Sequence, residues 1–245
     1  MVKIRLALEC RTDMLEMVQP FGDFDFILAH KVLEDEAYCN YYKESPRVKF
    51  VDNSVNELGE PLSLEQMKEA FEKVGGTYVV SPDYMDDAQK TIEAYIECIK
   101  EFPKEEVAGV IHGPTFQDAF RCLEVYGKGL VVVPFDLCSK PGDPPWLMSL
   151  RRALFISHIP HIEGRWIHLL GFTSLDEFFW YQNNPMVISI DTGIPVLLGL
   201  LGLDILDPLE SKDEATFPQM EKIELTQQGW TAIIRNIALL RRYLP

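Results

Sequence analysis

Apolar residues in this chain fall into short, nearly unbroken runs, separated by longer stretches in which they recur every three or four positions. The runs 2–9 (VKIRLALE), 24–30 (FDFILAH), 47–52 (RVKFVD), 77–83 (TYVVSPD), 107–113 (VAGVIHG), 129–136 (GLVVVPFD), 165–172 (RWIHLLGF) and 186–191 (MVISID) are rich in β-branched and aromatic residues and predict strands. Most are continuously apolar, as expected of parallel strands covered on both faces. The segments SLEQMKEAFEKV, AQKTIEAYIECIKEF and TFQDAFRCLEVYG have helical spacing and predict helices packed outside the strands. Strand followed by helical stretch, eight times in 245 residues, predicts the α/β class. The architecture expected is a single (β/α)8 TIM barrel with a C-terminal helix, 1–245 forming one domain. Within it, the polar, charged stretch 207–224 carries two prolines and predicts a surface excursion. The segment 226–244 reads as a closing amphipathic helix, with Arg235, Arg241 and Arg242 on or near its polar side.

Composition changes this picture little, with 47% apolar and 25% charged residues. Lys3 and Arg5 interrupt the first apolar run, so no signal peptide is expected, and no apolar run approaches the roughly 20 residues of a membrane span. A cytoplasmic location and no membrane partner follow as expectations. The cysteines Cys10, Cys39, Cys98, Cys122 and Cys138 lack CxxC or CxC spacing, which predicts reduced thiols and neither a disulfide framework nor a cysteine zinc site. The formal net charge of −15 argues against broad, nonspecific attraction to nucleic acid, because phosphate contacts need clustered Lys and Arg. A local basic patch would have to come from Lys140, Arg151, Arg152 and the terminal arginines, which read equally as solvated helix faces.

In a barrel of this kind, chemistry is expected where the strands run out. The third strand ends in Asp52 and Asn53, the fourth in Asp83, the fifth in His112 and Gly113, the seventh in Gly171 and Phe172, and the eighth in Asp191. One Asp after a strand can be no more than the N-cap of the next helix. Three on different strands in an apolar setting predict a common mouth, where repulsion and desolvation raise at least one carboxyl pKa and separate a proton donor from a nucleophile.

The strand ends FVDNSVNELGE, VVSPDYMDDAQKT, VIHG, LLGF and SIDTG, in that order between about residues 24 and 200, resemble motifs of the tRNA-guanine transglycosylase (queuine tRNA-ribosyltransferase-like) superfamily. The likeness is greatest to the short bacteriophage-type branch that inserts 7-deazaguanines into DNA. It implies base exchange without a cofactor, with Asp191 as the nucleophile that forms a covalent glycosyl intermediate and Asp52 as the acid/base. It also implies that Asp83 binds the purine edge, and that Asn53, His112, Gly113, Gly171 and Phe172 line the base pocket. A base in a duplex would first have to be flipped out.

No cysteine follows Cys138, so the zinc site of the tRNA enzymes has no counterpart, and no metal is expected. This favours DNA over tRNA as acceptor, with RNA or a free nucleoside as alternatives, and a phage-encoded enzyme in the host cytoplasm. Asn53-Ser54 also departs from the glycine that usually follows the acid. A chain barely longer than a barrel would take its nucleic-acid platform from a partner subunit or a homo-oligomer.

Two other classes fit the composition. A metal-dependent barrel hydrolase would use histidines such as His30, His112, His168 or the HIPH pair His158 and His161. A noncatalytic acidic barrel would bind a partner or mimic nucleic acid.

Overall fold

A computed structural model describes residues 3–140, 142–172, 174–206 and 220–244. Eight strands form one all-parallel, nearly closed barrel: β1 (Arg5–Leu8), β2 (Asp25–Leu28), β3 (Lys49–Asp52), β4 (Tyr78–Val80), β5 (Val107–Val110), β6 (Gly129–Pro134), β7 (Arg165–Leu170) and β8 (Val187–Thr192). Hydrogen-bonded neighbours run β1-β8-β7-β6-β5-β4-β3-β2. Between β1 and β2 the Asp23 N–H donates to the Leu6 carbonyl at 2.6 Å, and its carboxylate accepts from the Leu6 N–H at 2.8 Å. This is the expected α/β barrel, and strands such as β2, β3 and β5 are buried along their whole length, in keeping with their largely apolar runs.

Alternate residues of each strand point into the barrel. Ala7, Phe24, Phe26, Phe50, Val80, Ala108, Val110, Leu130 and Val132 fill its interior, while a larger apolar cluster lies between sheet and helices. The same two-residue step carries each inward row up to the C-terminal mouth. Phe50 leads to Asp52, Val110 to His112 and Ala7 to Glu9, so the strand period itself aims these polar residues at one place.

The helices expected from periodicity form at Leu64–Val74, Ala88–Glu101 and Phe116–Tyr126. Each starts at a side-chain cap, with Ser63 and Gln66 in a reciprocal capping box, and Asp87 and Thr115 accepting from the third residue on. After β7 the chain forms instead a 3-10 helix, Leu175–Tyr181, because Glu177, Phe178 and Tyr181 are drawn inward. After β1 there are only short helical turns between Thr12 and Phe21.

The closing helix is Gln227–Tyr243, capped by Thr226. It buries Ile233, Ile237 and Leu240 and crosses the helix Ile194–Leu200 at Gly199, where any Cβ would stand 2.5 Å from the Ile233 nitrogen. Of the expected excursion 207–224, residues 207–219 lie outside the described residues. In its last part Met220 is fully buried and the Arg11 guanidinium donates to the carbonyls of Met220 and Ile223, while Glu221, Lys222 and Glu224 are exposed. Among the described residues no helix is long and apolar enough to cross a membrane.

Candidate active site

A cavity of about 420 Å³ opens at the C-terminal mouth of the barrel, within the range of about 300–1,000 Å³ common for small-molecule sites. Asp52, Asp83, His112, Gly171, Phe172 and Asp191 all line it, so six of the eight sequence-predicted site residues converge. The other two lie behind the wall. Asn53 is buried, and its Nδ2 donates to Asp83 Oδ1 at 2.7 Å and to the Ser81 carbonyl at 2.8 Å. It orients Asp83 rather than meeting a ligand. Gly113 faces the next helix, where a Cβ would lie 2.6 Å from that of Asp118.

Asp191 is held from two sides. His168 Nε2 lies 2.8 Å from its Oδ1, and the Gly171 N–H donates to the same oxygen at 3.2 Å. Asp83 is held likewise, with Oδ1 on Asn53 and Oδ2 3.1 Å from His112 Nε2. Burial alone would lower the His112 pKa, but the hydrogen bond and charge of Asp83, with Asp136 and Asp86, outweigh it and raise the value.

Asp52 accepts a hydrogen bond from the Ser54 N–H at 2.7 Å. Burial first, then the charges of Glu57, Asp83 and Asp191, push its carboxyl well above the usual range despite that bond. Ser54 follows in the left-handed region with φ 61°, held there by Asp52 and by its own hydroxyl, which accepts from the His30 N–H at 3.2 Å.

Four cavity acids, Glu9, Glu57, Asp136 and Asp143, were not singled out by the sequence reading. Glu9 is pushed well above the ordinary glutamate value by burial, then by the charges of Asp191 and Glu57 and a hydrogen bond to Asp191. Burial likewise raises Glu57 and Asp136, the latter against the opposing pull of His112. Glu9 and Asp136 carry the same signal as Asp52, an acid at the end of an apolar run. Glu57 sits in the helical turn Val55–Leu58, and nothing local in the sequence brings it over the cavity.

Four of the arginines offered for a basic patch are paired with acids. Arg152 is fully buried and paired with Glu177, and Arg151 is turned back onto Asp143 and the Cys138 carbonyl. At the C-terminus, Arg241 is tied to Asp23 and Arg235 to Asp204. An arginine at helical spacing looks solvated in sequence unless its buried partner, here 25 positions away, is known.

The exposed His158 bonds the Leu154 carbonyl through Nδ1. Among the described residues no group of three His, Cys, Asp or Glu side chains is arranged to hold a metal ion. Chemically, the site offers one carboxylate with a fixed oxygen, several carboxyls disposed to keep protons, and an acid-histidine pair suited to a polar heterocycle edge. No protein-family model and no curated protein matches the chain.

Proposed function

We propose that the chain is a base-exchanging transglycosylase, a pentosyltransferase that replaces guanine with a 7-deazaguanine. The observation that carries the reading is the convergence of Asp191, Asp52 and the Asp83–His112 pair on one cavity. In the first step an Asp191 oxygen forms a bond to C1′ of the sugar as the bond from C1′ to the base nitrogen breaks. The electron pair leaves with the base, which takes its proton from the Asp52 carboxyl. The incoming base then returns a proton to Asp52, attacks C1′ and displaces Asp191, so the anomeric configuration is retained and no cofactor is consumed.

The raised pKa of Asp52 supports its part as the proton donor, and the two donors on Asp191 Oδ1 support that of an ordered nucleophile. Asp83 and His112 would meet the purine edge, with Gly171, Phe172 and Phe135 also lining the cavity. Ser54 adds support: at the position where the resembled motif has glycine, it takes the backbone conformation that glycine serves.

The resemblance favours DNA as acceptor, with RNA or a nucleoside as alternatives. The cavity is lined by seven acids and, among the described residues, by no Lys or Arg, so phosphates would lie outside it, against a second copy or a partner subunit. That excess of acid is also what favours the second reading, a noncatalytic acidic binding barrel.

Mass spectrometry of nucleosides from the DNA and RNA of cells expressing the chain separates the two. A 7-deazaguanine nucleoside absent from control cells is the expected result. Unmodified DNA and RNA, together with no exchange of labelled guanine in vitro on either polymer or on guanosine, would reject the enzyme.

A further inference from the structure

His168 occupies an inward position on β7, fully buried among aromatic rings. Phe26 stacks on it at 5.5 Å and 20°, Phe24 meets it edge-on at 5.9 Å, and Phe50 lies 5.1 Å away. A polar ring in such surroundings is costly unless both nitrogens are bonded, and both are. Nδ1 lies 2.9 Å from the Ser189 hydroxyl and Nε2 2.8 Å from Asp191 Oδ1. His168 itself does not line the cavity, and Asp191 is the lining residue that its ring nitrogens bond, so its polar effect on a ligand passes through Asp191.

For the neutral imidazole the two contacts admit one proton arrangement. A carboxylate only accepts, so Nε2 must donate to Asp191, and Nδ1 then accepts from Ser189, whose hydroxyl can serve as donor. The packed phenylalanines prevent the ring from turning, and the Asp191 carboxylate fixes the tautomer. The Gly171 N–H takes the same Asp191 oxygen, so both donors converge on Oδ1 and neither engages Oδ2.

From this we infer that His168 is the positioning residue of Asp191. It holds the carboxylate by Oδ1 and so fixes its rotation toward the sugar, with Ser189 bonded to the other ring nitrogen. The inference rests on the nucleophile reading for its catalytic consequence. Its structural content, the direction of the His168 proton, stands apart from any activity.

Two measurements therefore test it. In the full chain labelled with 15N-histidine, the ring nitrogens of His168 should report a protonated Nε2 and an unprotonated Nδ1. The opposite tautomer would overturn the inference whether or not exchange occurs. In guanine exchange, His168→Leu should lower kcat by about 10²-fold, the scale of a misplaced reacting group, with KM little changed. His168→Gln, whose amide nitrogen can stand near the Nε2 position, should recover most of that loss. Equal losses in the two variants, or a loss confined to KM, would reject a positioning role.

Should the leucine variant fail to fold, Ser189→Ala decides. It removes the partner of Nδ1 while Asp191 still holds the Nε2 proton, so it should keep the tautomer and reduce kcat, and an unchanged kcat would contradict the inference. A wild-type chain with the expected tautomer but no exchange would instead count against the proposed function alone.

Discussion

Arg152 and Glu177 form a bidentate ion pair in which neither side chain has any exposure, with Nε to Oε1 at 2.5 Å and Nη2 to Oε2 at 2.7 Å. The same guanidinium donates to the carbonyls of Val133, Leu170 and Gly171. One arginine thus ties the helix Pro145–Ser157 to the ends of β6 and β7 and braces the peptide whose N–H reaches Asp191.

Removing one partner leaves the other charge buried without compensation, at a cost of about 3–5 kcal/mol. Glu177→Gln and Arg152→Met should each lower the urea midpoint by a stability loss of that order. Arg152→Met should not change the salt dependence of nucleic-acid binding by the protein that remains folded. A loss under about 1 kcal/mol, or a changed salt slope, would show that Arg152 is not the internal brace described.

Gly171 has φ +63°, and a Cβ placed there would lie 3.1 Å from the Phe135 ring. Gly171→Ala should therefore cost about 1–2 kcal/mol for the left-handed backbone. It should also move the N–H off Asp191 and lower kcat more than the thermal midpoint alone would suggest. Wild-type stability and kcat together in this variant would contradict the geometry.

The clustered acids set a direction for pH. Asp52 and Glu9 have folded pKa values raised above their unfolded values near 4, so the folded state binds more protons in between. Their contribution to stability is fully present below about pH 4 and is lost as pH rises through the folded values. Asp52→Asn, neutral at every pH, should raise the melting temperature at neutral pH and flatten its decline with rising pH. A variant less stable than wild type at pH 8 would reverse the sign assigned to Asp52. If Asp52 is also the proton donor, exchange by the wild type should fall over the same alkaline limb.

His112 titrates above its ordinary value because of Asp83. In Asp83→Asn the hydrogen-bonding shape is nearly kept and the charge is lost, so the NMR midpoint of His112 should move down. Any stability it contributes, present below about pH 6.5 in the wild type and lost as pH rises through the folded value, should shrink with it. An unchanged midpoint would mean that the 3.1 Å contact carries no charge interaction.

The barrel was legible because burial on both faces writes most of the parallel strands as largely apolar runs, as in Val131, Val132 and Val133. What the runs cannot mark is where pairing stops. The fourth run reads on to Asp83, yet β4 ends at Val80, and Asp83 owes its place to Asn53 and His112. The carboxyls of Asp52, Asp83 and Asp191 could be expected at one mouth, because strand ends in a barrel converge. The partners of those groups could not: His168 and Ser189 read as interior strand residues, Arg152 as a solvated helix position, and Glu57 only as part of the segment after the third strand. Each acquires its role from a contact across 20 or more positions or from the closure of the barrel.

The central claim is that Asp191 becomes covalently joined to a sugar during exchange. The most direct measurement is the incorporation of labelled guanine into DNA, RNA and guanosine by the unmodified chain and by Asp191→Asn, with the melting temperature of both recorded. Incorporation by the wild type into at least one acceptor, abolished in Asp191→Asn with little change in stability, is the result predicted. Undiminished incorporation by Asp191→Asn would contradict it.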